Sequence, residues 1–426
     1  MKRLRFVHAA DLHVDSPFKG MSALPERVRE RIRESTFGAL KELVRLAIDK
    51  QVDFVLISGD VYDLSDRSLR AQIRFQKAME QLASQDIPVY IIHGNHDPED
   101  GRAAKLEWPA AVHFFSCDRV ETLVVSKPDR GAIAQIHGIS YRTSSVTENL
   151  ALQFKAAQES LYQIGLLHTN VDGDAAHDNY APCTKQDLMG SGLDYWALGH
   201  VHTRKILHEH KPAIVYPGNI QGRSIREIGA RGCYIVDVHE DGRAELTFES
   251  LDRVRWFHER ISVAGLQTEQ ELKDKLSEQI ERIRDEAAGR DAVVRFVLEG
   301  RSAVHALLRK GRALDELAAE FREDEAERSR FVWIEGIEDH TGSEIDLEAL
   351  LQEKSFLGDL LRLSQALQGD DAALEEFAAE ALAALQSLPQ AAGAPAAADL
   401  DRLRQWLRAA EELAADFLAT DGGWQE

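Results

Sequence analysis

Short runs that are apolar on both faces, separated by segments of helical periodicity, constrain this chain more than any other feature. In "VDFVLIS" the residues Val55, Leu56 and Ile57 follow one another, so an extended backbone there is apolar on both sides. A strand of that kind belongs inside a sheet covered on both faces. "LPERVRERIRESTFGALKELVRLAIDKQ" before it and "SLRAQIRFQKAMEQLASQ" after it carry apolar residues at helical spacing. "RFVHAA", "PVYIIHG", "AIAQIHGIS", "YQIGLLH", "DYWALGH", "AIVYPG", "GCYIVDV" and "AELTFES" read as further strands. The alternation predicts an α/β core.

Unusual polar clusters fall where these strands stop. They are "DLH" (Asp11, His13), "GD" (Gly59, Asp60), "GNHD" (Gly94 to Asp97), "LLHTN" (His168) and "LGHVH" (His200, His202). Loops leaving the carboxyl ends of neighbouring strands converge on one side of a sheet, so distant residues share a cavity. The donors are oxygen and imidazole nitrogen without thiolate, which suits Mn²⁺, Fe or Zn²⁺. Two aspartates, four histidines and Asn95 exceed what one ion needs, whereas two ions about 3.5–4 Å apart, bridged by one carboxylate, use them all. Gly59, Gly94 and Gly199 each precede a candidate ligand, where the chain must turn and leave room.

The net charge of −21 looks unsuited to nucleic acid until it is divided along the chain. Residues 1–260 hold 33 Lys and Arg against 36 Asp and Glu, net −3, while residues 261–426 hold 18 against 36, net −18. A nearly neutral first half whose carboxylates are partly committed to metal can present positive surface locally; the acidic half should avoid phosphates and suits a basic partner. Only Cys117, Cys183 and Cys233 are present, with no CxxC pair, so neither a disulfide scaffold nor a thiolate zinc site is indicated and a reducing cytoplasm is expected. His8 and Asp11 interrupt the N-terminal apolar run too soon for a signal peptide, and no run approaches membrane-spanning length.

Near residue 260 the character changes. "FHERISVAG", "TEQELKDKLSEQIERIRDEAAG", "AVVRFVLEG", "SAVHALLRKGRALDELAAEFREDEAER" and "RFVWIEGIE" read as strand, helix, strand, helix, strand. From about Ile345 the pattern is helical, broken by "LPQAAGAPAAADLD", which reads as a linker or extended turn.

The ordered set Asp11-x-His13, Gly59-Asp60, Gly94-Asn95-His96-Asp97, His168 and Gly199-His200-x-His202 resembles the five motifs of the calcineurin-like metallophosphoesterases. Within them "HAADLHVDSPF" and "YPGNIQGRSIRE" are most similar to the bacterial YhaO-type DNA repair exonucleases, relatives of the nuclease subunit of the SbcCD complex. The likeness spans about residues 4–240. It implies a four-layer αββα sandwich over residues 1–255, a small α/β capping domain over 256–345 and a helical C-terminal region over 346–426. It further implies a first ion held by Asp11, His13, Asp60 and His202, and a second held by Asp60, Asn95, His168 and His200. His96 would face the scissile phosphate, with Asp97 orienting its ring.

The implied function is a Mn²⁺-dependent phosphodiesterase acting on DNA as a repair exonuclease. The expected partners are DNA, a coiled-coil ATPase of the structural-maintenance-of-chromosomes type docked on the C-terminal helices, and a second copy of the chain, with no membrane. A phosphoesterase for a small nucleotide-type substrate and a non-catalytic scaffold for DNA ends or the ATPase are the competing readings. Arg223 and Arg226, close after the last histidines, are candidate phosphate contacts. His8, His93, His137, His177, His208 and His210 match no motif position and read as packing or surface residues, and Asp15 and Asp63 stay unassigned beside the ligands.

Overall fold

A computed structural model of the protein describes residues 2–18, 24–63, 68–101, 104, 106–156, 161–174, 178–309, 311–345, 347–386 and 399–420. Most of the stretch read as a linker, and His177, lie outside the described residues. The chain divides into two compact units, the first made of Met1–His258, Glu281–Val294 and Arg322–Glu335, the second of Glu259–Ile280, Arg295–Phe321 and Gly336–Glu426.

In the first unit the elements run β1 (Leu4–Ala9), α1 (Glu26–Asp49), β2 (Phe54–Ser58), α2 (Leu69–Ala83), β3 (Val89–Ile92), β4 (Val112–Phe114), β5 (Glu121–Lys127), β6 (Gly131–Gly138) and β7 (Tyr162–His168). They continue with α3 (Lys185–Met189), β8 (Tyr195–Gly199), β9 (Lys205–His208), β10 (Ala213–Tyr216), β11 (Gly232–Val238) and β12 (Ala244–Ser250). One six-stranded sheet has the order β12-β11-β1-β2-β3-β4, another β5-β6-β7-β8-β10-β9. The centres of both are parallel: Ala9 pairs with Ile57 and Ser58 with Ile92 in one, and His168 with Gly199 in the other.

Alternation along each strand decides which layer it builds. Phe6, Phe54, Leu56, Tyr90 and Ile92 of the first sheet pack with Tyr162, Ile164, Leu166, Tyr195 and Ala197 of the second in one core. The opposite faces, Val7, Val55, Ile57, Val89 and Ile91, pack under α1 and α2 through Phe37, Leu40, Leu43, Phe75 and Met79. Trp196, Leu198 and Leu167 point outward from the second sheet into a core with Leu188 of α3. The layers are therefore αββα. Polar bonds cross between the sheets near their carboxyl ends: the Ser58 hydroxyl donates to the Ala197 carbonyl at 3.0 Å, and the buried His8 ring lies 2.9 Å from the Tyr195 hydroxyl and 3.2 Å from the Leu198 carbonyl.

Next come β13 (Val254–Ser262), α4 (Glu269–Glu286), β14 (Asp291–Arg301), the short α5 (His305–Leu308), α6 (Ala313–Ala326) and β15 (Val332–Gly342), whose strands form a third sheet in the order β13-β14-β15. The helices α7 (Leu347–Gln352), α8 (Phe356–Gln368), α9 (Asp371–Gln386) and α10 (Leu400–Thr420) follow in the second unit. Leu357 and Leu361 of α8 bury against Ala415 of α10. Among the described residues no helix is long and apolar enough to cross a membrane, and all three cysteines are free.

Candidate metal centre

The carboxyl ends of β1, β2, β3, β7 and β8, with the loops that leave them, carry the motif residues, and all five meet. Asp11, His13, Asp60 and His202 form one cluster whose candidate ligand atoms lie within 4.8 Å of one another. Asn95 Oδ1 lies 2.9 Å from His168 Nε2 and 3.2 Å from His200 Nδ1, while Asp60 Oδ2 stands 3.4 Å from His168 Nε2 and 3.9 Å from His13 Nε2. Asp60 thus touches both sets.

Tight backbone geometry brings them together. Asp11, His13 and Asp60 all have φ between 42° and 52°, and the Asp11 and His13 amides donate to the carbonyls of Gly59 and Asp60 at 3.1 and 3.0 Å. Gly59, at φ 91°, occupies left-handed backbone, and a Cβ there would stand 2.5 Å from His168 Nδ1. Gly199 serves close approach instead of a turn: a Cβ would lie 1.8 Å from the Ser58 carbonyl oxygen.

The donors fit cations. His13 Nδ1 meets Asp63 Oδ1 at 2.8 Å and His202 Nδ1 meets Glu227 Oε1 at 2.7 Å, so each ring keeps its proton on the carboxylate side. Their Nε2 lone pairs then face each other at 3.1 Å, an arrangement that repels unless positive charge stands between them. Burial and the Arg223 charge push His13 down to about 4, which keeps it neutral. In the second set, His168 Nδ1 donates to the Ser58 carbonyl and His200 Nε2 to the Asp178 carbonyl, at 2.9 and 2.8 Å, which turns His168 Nε2 and His200 Nδ1 toward Asn95 Oδ1. Asp60 Oδ2 is buried without a hydrogen-bond partner. Although burial opposes it, the Asp60 charge lifts His168 up to about 9. The cavity therefore draws positive charge to its floor, and divalent cations in place of protons satisfy the same donors.

One expectation needs correction. Asp97 does not orient His96: its carboxylate accepts from the Gly94 and Val61 amides at 2.8 and 2.9 Å and so braces the turn after β3. Asp63 orients His96, with Oδ1 2.9 Å from His96 Nδ1, and the same carboxylate accepts from Ser16 Oγ and from Arg223 at 3.2 Å. Although burial opposes it, the Asp63 hydrogen bond and the Asp60 charge raise His96 above an ordinary histidine. His96 is half-exposed and its amide donates to Asp60 Oδ1 at 2.9 Å.

Arg223 is half-buried between Asp63 and Glu227, whereas Arg226 is exposed. Arg231 is buried and donates to the His202 carbonyl. His93 stacks on Phe114 at 5.2 Å, and His137 sits between Thr122 and Gln163. Asp15 turns toward Ser68, Arg33 and Arg70, away from the ligands. Glu227, 2.7 Å behind the His202 ring, is a residue that the sequence reading passes over, its only signal being its place in "GRSIRE".

Comparison with known proteins agrees with this chemistry. Residues 4–204 match the calcineurin-like phosphoesterase family and residues 256–342 the middle domain of metallophosphoesterase YhaO. The uncharacterized metallophosphoesterase YhaO of Bacillus subtilis is 38% identical over 372 residues, which cover 86% of this chain and 90% of that one. The DNA double-strand break repair protein Mre11 of Thermoplasma acidophilum is 29% identical over 268 residues, 58% of this chain and 66% of that one. A component of the nuclease SbcCD of Bacillus subtilis is 22% identical over 267 residues, 55% and 66% of the two chains. By its motifs, its layered sheets and its similarity to YhaO along most of both chains, this protein belongs to the YhaO family of calcineurin-like metallophosphoesterases.

Proposed function

We propose that the protein is a two-metal phosphodiesterase acting on DNA as a repair exonuclease, with Mn²⁺ as its cation. The observation that carries this reading is Asp60, whose buried Oδ2 makes no hydrogen bond among the described residues and stands 3.4 Å from His168 Nε2 and 3.9 Å from His13 Nε2, one ring of each set. Asp11, His13, Asp60 and His202 would hold one cation, and Asp60, Asn95, His168 and His200 the other. Divalent cations supply acidity to a bound water and neutralise phosphate charge. The chain's own residues supply the rest. Asp63 holds His96 by Nδ1, which presents Nε2 as the proton-bearing edge for a phosphate oxygen or a departing oxygen. Although burial opposes it, the Asp63 hydrogen bond and the Asp60 charge raise the His96 pKa and so favour the proton-bearing ring. Asp97, by tying Gly94 to Val61, sets the angle at which Asn95 and His96 diverge. The exposed Arg226 is the substrate-side cation of the two arginines near the last histidines.

Similarity to Mre11 and to the SbcCD nuclease supports DNA as substrate and an ATPase as partner. The domain reading, with residues 1–255 catalytic, 256–345 capping and 346–426 for partner docking, is supported by the match of 256–342 to a middle domain. Phe356, Leu363, Phe377 and Leu413 on the C-terminal helices expose apolar surface suited to a partner helix.

The test is degradation of end-labelled duplex and single-stranded DNA with Mn²⁺, set beside hydrolysis of small cyclic nucleotides. DNA should be shortened from its ends. His96→Ala should retain both cations and lose about 10²–10⁴-fold in rate. Cleavage of the small substrates with intact DNA ends would replace DNA by a nucleotide substrate.

A further inference from the structure

A chain of charges grips the imidazoles of the centre from behind. Glu227 Oε1 accepts from His202 Nδ1 at 2.7 Å, and Oε2 accepts from the Arg223 amide at 2.7 Å. The Arg223 guanidinium reaches Glu227 Oε1 at 3.4 Å and Asp63 Oδ2 at 3.2 Å. Asp63 Oδ1 in turn takes the Nδ1 edges of His13 at 2.8 Å and His96 at 2.9 Å. One arginine thus stands between two carboxylates that together hold three rings from three different loops. The side chains of Arg223, Glu227 and Asp63 are only 15%, 11% and 14% exposed, so these charge-assisted bonds act where water competes little. Burial works against its ionisation, yet the His202 hydrogen bond and the Arg223 charge hold the Glu227 carboxyl well below the usual carboxylate range.

We propose that Glu227 and Arg223 are positioning residues for one of the two cations. Glu227 fixes the tautomer and angle of His202, and Arg223 locks Glu227 to Asp63 so that His13, His202 and His96 hold a common geometry. Arg223 therefore faces the metal ligands' supports and not the substrate. This assignment rests on the two-cation reading given above, and it adds an asymmetry. The clamp reaches only His13 and His202 among the histidine ligands, whereas His168 and His200 are held by the backbone carbonyls of Ser58 and Asp178. Loosening the clamp should weaken one cation and spare the other.

Full-length protein stripped with chelator and titrated with Mn²⁺ by calorimetry tests this, with thermal unfolding in chelator recording whether each variant folds. Wild type should bind two ions. Glu227→Ala should hold one at wild-type affinity and the other about 10–100-fold more weakly, the usual effect of removing a partner behind a metal ligand. Glu227→Gln, whose amide oxygen still accepts from His202, should recover most of that loss, and Arg223→Met should show a smaller loss at the same site. His200→Ala should weaken the other ion.

Two ions at wild-type affinity in Glu227→Ala overturn the positioning role and leave the two-cation reading standing. Equal weakening of both ions also overturns it, because the residue then acts on the fold. If Glu227→Ala does not fold, Glu227→Gln decides, and a loss as large as tenfold there overturns the proposal. A wild type that binds fewer than two ions overturns both readings.

Discussion

Asp63 and Asp97 divide work that the sequence assigns to one of them. Adjacency in "GNHD" points to Asp97 as the orienting partner of His96, but the chain turns so sharply at Gly94 that Asp97 folds back onto two amides. Asp63, three residues past Asp60, reaches both His13 and His96. The consequence is separable. Asp63→Asn removes the charge that raises His96, so the imidazole loses its proton at lower pH; with that ring as the proposed proton donor, the alkaline limb of the rate profile should move to lower pH. Asp97→Ala should instead leave two buried amides unpaired and cost about 1–3 kcal/mol in urea unfolding, with the alkaline limb in place. An unmoved limb in Asp63→Asn would take Asp63 out of the proton chemistry. The candidate donors that meet here were readable because residue type and order carry them, whereas Glu227 was not, since only the fold brings it to His202.

At the scale of elements, the nine strands read in the first half and the three read from near residue 260 onward all form, and so do α1 and α2. The strands β4, β5 and β9 escaped that reading for a physical reason: all three lie at sheet edges, where one flank is solvated, and β4 is only three residues long. Edge strands need no continuous apolar signal. What periodicity does not reveal is how closely two strand ends approach. The missing Cβ of Gly199 would lie 1.8 Å from a backbone oxygen, and no rotamer change relieves such a clash. Gly199→Ala should therefore cost about 3 kcal/mol or more in unfolding by urea under chelator, where metal loss plays no part. A change under about 0.5 kcal/mol would mean that the strand ends have slack.

Over the whole first unit, the candidate ligands come from both sheets: Asp11, Asp60 and Asn95 follow strands of one, while His168 ends a strand of the other and His200 and His202 follow the next. Cations bound there join the layers, and a ligand at 100 times its Kd adds about 2.7 kcal/mol to stability. Chelator should lower the melting temperature of wild type, and readdition of Mn²⁺ should restore it. Asp60→Asn, which weakens the residue common to both sets, should abolish the difference; a full metal-dependent rise in that variant would remove Asp60 as the bridge.

The bonds from Ser58 to Ala197 and from His8 to Leu198 pin the layers against sliding beside this seam. Layers held in register in this way keep the spacing of the donors that each contributes to the shared cavity.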